Sequence, residues 1–358
     1  MKTLLLAPEL FTANGGIPRM LRLYLKALCE LAPEGADHHV GFVALNDATV
    51  GSGDLRRYST AALTHWETCQ RRKGRFVRAT LRHRRPGQRI VCGHVAQLPV
   101  AWAARLCGRG VSYDLVAHGI EVWRDFSLAE RLALRSVRRV LCVSAHTRDE
   151  MRRHCALPAD RFAVLPNALD PFFPIMEQPP ARPSAPVILT VSRLAFADSY
   201  KGIDHLIQAM PQIRRSIPQA RLQIVGQGDD LPRLAKLVRT SGLAEAVDFC
   251  GYLDDQALQA RLRECALFAL PSQREGFGLV FLEAMAQGRP CLAARAGGAP
   301  EVVTDETGML VPFGDIEAIA TAATAALQRT WDGDAILARA RAFAYPCFRE
   351  RLKTLLAP

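Results

Sequence analysis

Two glutamates with glycines between them mark the stretch best suited to chemistry. In Pro271-Ser272-Gln273-Arg274-Glu275-Gly276-Phe277-Gly278-Leu279-Val280-Phe281-Leu282-Glu283-Ala284-Met285-Ala286, Glu275 precedes a predicted helix and Glu283 lies eight residues on, inside it. Gly276 and Gly278 bare the backbone amides around the helix start, an arrangement suited to phosphate and sugar oxygens. Carboxylates accept hydrogen bonds from hydroxyls, so the pair fits a polyol better than an apolar ligand. Two chance acids beside a helix start are the bland alternative, and the glycines between them weigh against it.

Other candidates follow strand-like runs. Ser192-Arg193-Leu194 ends one such run, and Lys201-Gly202-Ile203-Asp204 precedes the next helical segment. Arg193 as a fork and Lys201 as a point charge suit a diphosphate; a solvated loop pair is the competing reading. Asn14-Gly15-Gly16-Ile17-Pro18-Arg19 opens a predicted helix and leaves amides to an anion at Gly15 and Gly16, although it is not the G-x-G-x-x-G fingerprint and a plain turn reads the same residues equally well. His118-Gly119-Ile120-Glu121 and the turn Gly226-Gln227-Gly228-Asp229 also end strand-like runs. A lone histidine is as readily structural as ligand-binding.

Short apolar runs alternating with amphipathic stretches predict an α/β chain of βα units around parallel sheets. Strands are expected near 3–7, 40–45, 90–92, 114–117, 139–143 and 162–165, with helices near 17–31, 98–107, 128–137 and 147–155. Six prolines between Pro171 and Pro186 forbid regular structure and predict an extended connector. The rhythm restarts with strands at 187–191, 222–225, 247–250, 267–270 and 291–293. The expectation is two doubly wound Rossmann-like domains facing a central cleft, with ligands beyond the carboxyl ends of the strands. The divisions expected are a domain over 1–170, a Pro-rich linker over 171–186, a second domain over 187–340, and a C-terminal helix within 341–358 returning to the first domain.

The 358 residues, 49% of them hydrophobic, suffice for two cores and exclude a wholly disordered or disulfide-stapled class. The formal charge of +11 is uneven: residues 1–175 hold 26 Lys+Arg and 15 Asp+Glu, whereas the remainder hold 20 of each. Arg71, Arg72, Lys73, Arg75, Arg78, Arg82, Arg84, Arg85 and Arg89 form a run without an acidic residue. It reads as a solvated helix face. Equally, with Phe76, Val77 and Leu81 as a narrow apolar strip, it reads as an interfacial helix on anionic lipid. Met1–Ala7 mimics a signal peptide, but Pro8 and Glu9 cut its apolar run short, so a first strand is expected. No run reaches the length of a membrane span. Ten cysteines without a C-x-x-C pair read as reduced core thiols of a cytoplasmic protein.

Taken together, these residues resemble the family-4 glycosyltransferases, retaining enzymes of the GT-B fold. The family's E-x7-E element is matched by Glu275 and Glu283 in a run ending at Pro290, accompanied by Gly15-Gly16, His118-Gly119, Pro166-Asn167, Ser192-Arg193-Leu194, Lys201-Gly202, Gly297-Gly298 and Thr307-Gly308. The resemblance implies an acceptor-binding first domain and a nucleotide-sugar-binding second domain. It implies that Arg193 and Lys201 bind the donor diphosphate and stabilise its growing charge, with Gly16 adding a backbone amide. It implies that Glu283 holds the ribose and Glu275 the donor-sugar hydroxyls, with amides from Phe277 and Gly278, and that His118 lies near the reacting sugar. Gly251-Tyr252-Leu253 is similar to the part that flanks the nucleobase.

The chemistry so implied is leaving-group stabilisation by preorganised cations in a closed cleft. Family enzymes generally need no bound metal, and no D-x-D element stands at a strand end. Retention is assigned to front-face attack with the phosphate taking the acceptor proton, so Glu275 is not cast as a nucleophile. The expected activity is transfer of a hexose from a nucleotide diphosphate sugar to a glycan or polyprenyl- or lipid-linked acceptor in cell-surface polysaccharide or glycolipid synthesis. GDP-mannose is favoured as donor because the chain resembles bacterial mannosyltransferases; a UDP-sugar donor and a GT-B nucleotide-sugar epimerase remain alternatives. A cytoplasmic enzyme, peripheral on the inner face of the membrane, would suit such an acceptor. A nucleic-acid-binding protein is the rival of a different class, disfavoured by a basic run with one aromatic, Phe76.

Overall fold

A computed structural model of the chain describes residues 2–12, 15–32 and 39–357. It divides into two compact units. Unit 1 comprises Met1–Asp170 and Tyr345–Pro358, and unit 2 comprises Pro171–Ala344.

In unit 1 the strands are β1 (Lys2–Ala7), β2 (His39–Ala44), β3 (Leu63–Thr68), β4 (Arg89–Cys92), β5 (Ser112–Ala117), β6 (Val140–Cys142) and β7 (Phe162–Val164). They form one parallel sheet in the order β3-β2-β1-β4-β5-β6-β7. Helices α1 (Gly16–Leu31), α2 (Ser52–Tyr58), α3 (Lys73–Arg82), α4 (Leu98–Leu106), α5 (Leu128–Leu134) and α6 (Ala145–Arg153) connect them. Burial on both faces explains why β1 reads as the unbroken apolar run Leu4-Leu5-Leu6-Ala7, all fully buried. The strand at Leu63–Thr68 lies outside the sequence expectation because Leu-Thr-His-Trp-Glu-Thr is a half-buried, largely polar edge.

Unit 2 repeats the plan. Strands β8 (Val187–Val191), β9 (Arg221–Val225), β10 (Val247–Gly251), β11 (Leu267–Leu270), β12 (Cys291–Ala294) and β13 (Gly308–Val311) are parallel, in the order β10-β9-β8-β11-β12-β13. Its helices are α7 (Ile203–Ser216), α8 (Leu231–Thr240), α9 (Asp255–Glu264), α10 (Leu279–Ala286), α11 (Ile316–Gln328) and α12 (Gly333–Ala342). The proline-rich 171–186 segment has no helix or strand, and it is fastened to unit 2 by named bonds. The Gln287 amide donates to the Pro174 carbonyl (2.8 Å), Met176 N–H to Ala286 O (2.9 Å), and Arg341 to the carbonyls of Met176 and Glu177 (3.0 and 2.8 Å).

The last helix, α13 (Tyr345–Leu356), belongs to unit 1. Phe348 meets the Tyr24 ring edge-on at 5.1 Å, and the Tyr345 hydroxyl donates to Glu30 at 2.7 Å. Its final carbonyls receive three arginines: Arg89 at Leu356 (2.5 Å), Arg139 at Leu355, and Arg138 at Ala357 (3.2 Å). Cations at the negative end of a helix are favourable, so part of the basic excess serves the fold. Divided by unit, the charge is sharper than by half: unit 1 holds 29 Lys+Arg and 16 Asp+Glu, unit 2 holds 17 and 19.

The apolar strip expected of the 71–89 run is corrected by its packing. Phe76, 3% exposed, and Ala79 belong to the core that holds Leu4, Ile90 and Tyr113, and Leu81 packs against that core. Only Val77 of the strip is exposed. The inward face of α3 therefore has its partner already, and no apolar face remains for lipid. Arg75 and Arg82 each reach Glu67 at 3.2 Å, and Arg89 is buried on Asp114 at 2.5 Å.

Candidate active site

In both sheets the strand order reverses beside the first strand of the unit, and loops leaving the two strands there diverge to open a crevice at their carboxyl ends. In unit 2 those strands are β8 and β11. Arg193 follows β8 and Glu275 follows β11, so the topology sets the two loops that carry them side by side. The Lys201 ammonium completes the group, donating to Glu275 Oε2 at 2.7 Å. Both side chains of this pair are partly buried, 21% and 16% exposed, so the charges attract each other more strongly than on an open surface.

Glycines set the backbone beneath these side chains. A Cβ on Gly226 would stand 1.8 Å from the Ser192 carbonyl oxygen, and one on Gly228 would stand 2.0 Å from that of Leu194. The loop after β9 thus presses directly on the loop carrying Arg193, and Leu194 N–H donates to Gln227 O at 2.9 Å. The loop after β11 is seated in the same way. Gly298 N–H donates to the Glu275 carbonyl at 2.6 Å, and a Cβ on Gly297 would approach that oxygen to 2.3 Å. Gly278 takes φ +95° as it opens α10, a left-handed conformation that favours glycine.

The cations are held by their own loop. Residues Phe196–Lys201 form 3-10 turns, and Asp198 within them accepts from Arg193 Nε at 2.5 Å and from the Tyr200 hydroxyl at 3.0 Å. Burial raises the Asp198 pKa, but the hydrogen bond and charge of Arg193 outweigh it and leave the carboxyl below its usual range. The Tyr200 phenol is pushed up to about 12, by burial first and then by the Asp198 charge. Lys201 Nζ lies 5.5 Å from the centre of the Tyr200 ring. Gly202, at φ +72°, closes the turn against the Pro271 carbonyl.

The remaining expected residues of unit 2 are distributed around this centre. Gly276 lies in the loop, and Leu279 begins α10. Glu283 is buried one turn into that helix. Phe277 is 3% exposed and packs its ring 5.5 Å from that of Phe343, which makes its side chain a support of the loop. Gly251 ends β10 at φ +67° and accepts from Gly226 N–H at 2.8 Å; Tyr252 beyond it is exposed and Leu253 half-buried. Asp198 was not among the sequence candidates, because no motif or spacing distinguishes it from any loop acid.

Unit 1 places Gly15 and Gly16 after β1, beside the corresponding reversal between β1 and β4. Gly15 caps α1 at φ −148°, which any residue adopts, and a Cβ there would come no closer than 3.7 Å to Pro18. The fold therefore does not itself demand glycine at Gly15. Gly16 is the first helical residue; Asn14 lies outside the described residues. The approach to this turn is anchored by Asp47, fully buried, whose carboxylate accepts from the backbone N–H of Leu10 (2.9 Å), Phe11 (3.3 Å) and Thr12 (3.0 Å). Sequence reasoning passed over Asp47 as well, since its role exists only once two loops meet.

His118 follows β5 and is buried. Its Nε2 lies 3.0 Å from the Gly93 carbonyl, which can only accept, so Nε2 carries the proton and Nδ1 is left as an acceptor. Burial, opposed by that hydrogen bond, brings its pKa down to about 4, so the ring is neutral at pH 7. Glu121 Oε1 takes the backbone N–H groups of His118 and Gly119 at 2.5 and 3.1 Å, fixing the turn. Of the basic run, Arg71, Arg72, Lys73, Arg75, Arg78, Arg82 and Arg85 are exposed and Arg84 is half-buried. Among the described residues, no three His, Cys, Asp or Glu side chains gather to hold a metal ion, and no helix is long and apolar enough to cross a membrane.

Comparison with known proteins bears on the family and the fold. The family model for Glycosyltransferase Family 4 matches residues 15–172, and that for Glycosyl transferases group 1 matches residues 185–329. A GDP-mannose-dependent alpha-(1-6)-phosphatidylinositol monomannoside mannosyltransferase of Mycolicibacterium smegmatis is 34% identical over 63% of this chain and 64% of its own length. The alpha-D-kanosaminyltransferase of Streptomyces kanamyceticus is 31% identical over 56% of this chain and 52% of its own. The chain thus spans less than two thirds of the length of these curated relatives. In solved structures, Anabaena HepE in complex with UDP superposes with a TM-score of 0.77 at 22% identity, covering 99% of both chains. Sucrose-phosphate synthase from Thermosynechococcus elongatus gives 0.74 at 22% identity over 99% and 98%. With two family models spanning most of its length and a fold shared end to end with these structures, the chain belongs to the family-4 glycosyltransferases of the GT-B fold.

Proposed function

We propose that the protein is a retaining glycosyltransferase that moves a hexose from a nucleotide diphosphate sugar to a glycan or lipid-linked acceptor. The observation that carries this reading is the meeting of Lys201 and Glu275 at the strand-order reversal of unit 2, with Arg193 on the adjoining loop. Two cations and a carboxylate match a substrate that is anionic at one end and a polyol at the other. Arg193 and Lys201 take the diphosphate. Lys201 is released from Glu275 as the phosphate replaces the carboxylate, and Glu275 is then free to accept from sugar hydroxyls. As the glycosidic bond breaks, negative charge grows on the leaving phosphate, and fixed cations stabilise it.

Glu283 takes the ribose, the exposed face of Tyr252 and the backbone of Gly251 and Leu253 take the base, and the amides of Gly276, Phe277, Gly278 and Leu279 lend donors to sugar and phosphate. In unit 1, Gly15 and Gly16 admit the diphosphate to the start of α1. Neutral His118, with Nδ1 unprotonated, accepts a hydrogen bond near the reacting sugar rather than supplying charge.

GDP-mannose is the donor favoured, because the relative that is 34% identical is named for it. A UDP-sugar is the second reading, favoured by the UDP bound in the structure of the similar fold. A lipid-linked acceptor on an anionic membrane surface fits the exposed arginines of 71–85, acting by charge alone. A panel of nucleotide sugars, read by donor hydrolysis and thermal stabilisation, tests the proposal. Stabilisation by GDP but not UDP assigns the base, and stabilisation by no nucleotide overturns the transferase reading.

A further inference from the structure

Nine residues run from Arg193 to Lys201, and those between them form the turned segment that holds both ends. Asp198 sits at its centre, 7% exposed, while the Arg193 side chain is 74% exposed. A buried carboxylate therefore grips an outward-facing guanidinium, and it does so through Nε alone. Among the described residues, Nη1 and Nη2 of Arg193 meet no acceptor, so the outer edge of the fork is available to a ligand. The other acids nearby do not compete for it. Asp230 and Asp204 are engaged by Arg233, at 2.7 and 3.1 Å. The second oxygen of Asp198 is held by the Tyr200 hydroxyl, and Tyr200 O in turn accepts from Gln273 N–H at 2.8 Å, two residues before Glu275.

We propose that Asp198 is a positioning residue: by holding Nε it presents the Nη edge of Arg193 to the terminal phosphate of a nucleoside diphosphate, and Tyr200 locks Asp198 in that pose. This rests on the reading of Arg193 as a diphosphate ligand. A planar guanidinium fixed before the ligand arrives loses less freedom on binding, and its two Nη donors match two phosphate oxygens. Asp198 is distinct from the residues that touch the substrate. It acts only through Arg193, so its effect must vanish when Arg193 is removed.

Calorimetric titration of the full chain with GDP, UDP, GMP and UMP tests this. For whichever base binds, Asp198→Asn is expected to weaken the diphosphate about tenfold and the monophosphate less than about twofold, the size of one charge-assisted contact. In an Arg193→Ala background the same change is expected to add less than about twofold. Asp198→Glu restores part of the affinity, and Tyr200→Phe, which deletes one hydroxyl and keeps the ring, weakens the diphosphate about threefold. Equal diphosphate affinity in Asp198→Asn and Tyr200→Phe overturns the assignment, as does an undiminished loss in the Arg193→Ala background. If wild-type protein binds none of the four nucleotides, the donor-site reading fails and this inference falls with it. If wild type binds and the variants match it, only the role of Asp198 falls.

Discussion

Lys201 Nζ stands 2.7 Å from Glu275 Oε2, joining residues 74 apart in the chain across the point where the unit 2 sheet reverses its strand order. On the proposed reading, the pair is an internal stand-in for a ligand. A carboxylate occupies the ammonium as a phosphate would, and the ammonium occupies the carboxylate as sugar hydroxyls would. Opposite charges held together in a partly buried site each compensate the hydration the other has lost, and a substrate carrying both complements would replace that contact.

Lys201→Ala and Glu275→Ala are each expected to abolish transfer and leave a folded protein. Removing one partner of this partly buried ion pair costs on the order of 1–3 kcal/mol of stability, between the exposed and the fully buried case. Removing a group that stabilises the leaving phosphate costs on the order of a hundredfold or more in kcat. Steady-state kinetics beside thermal unfolding separates the two effects. Transfer retained in both variants would place the chemistry elsewhere.

Glycines of the two units should respond differently to alanine. Gly297→Ala drives a Cβ to 2.3 Å from the Glu275 carbonyl oxygen at a φ of +61°, so the loop under Glu275 must shift. The expected result is a loss of both stability and donor affinity. Among the described residues, Gly15→Ala meets only Pro18 Cδ at 3.7 Å, so stability is expected to hold while donor affinity falls. Unchanged nucleotide-sugar binding by Gly15→Ala, measured calorimetrically, would remove the α1 start from the donor site.

Most of the strands and the Arg193, Lys201 and Glu275 constellation were legible in the sequence, because buried parallel strands read as apolar runs and loop residues after them fall at one sheet edge. The strand at Leu63–Thr68 was not legible, since an edge needs no apolar pattern, and neither was the four-residue Gly308–Val311. Phe76 was misplaced because an apolar strip on a basic helix looks the same whether it meets lipid or its own sheet; only its place in the core that holds Leu4 and Ile90 decides. Asp47 and Asp198 escaped because each acts on groups brought to it by tertiary structure.

Acid should destabilise unit 1 through buried His118 and half-buried His65. The pKa of His118 is brought down to about 4, and so is that of His65, chiefly by burial in both cases. An unfolded histidine titrates near 6.5, so between about pH 6.5 and 4 the unfolded state binds more protons and stability falls as pH is lowered. The expected outcome is a Tm that declines across that window, with a shallower decline in His118→Asn. A slope unchanged by His118→Asn would mean the ring is already protonated or solvated in the native state.

Charge and packing in the 71–89 segment can be separated by two sets of variants. Phe76→Ala empties a core site and is expected to cost about 3–5 kcal/mol of stability, read by denaturant unfolding. Arg78 and Arg85 are exposed, so reversing both to Glu should leave stability nearly unchanged. The same double reversal should abolish co-sedimentation with vesicles rich in anionic lipid, and binding by the wild type should fall with added salt. Because Phe76, Ala79 and Leu81 of α3 lie in or against the core and Val77 alone of the strip is exposed, this helix should not bind neutral vesicles. Binding that ignores lipid charge, or that survives both reversals, would move the membrane-facing surface away from this helix.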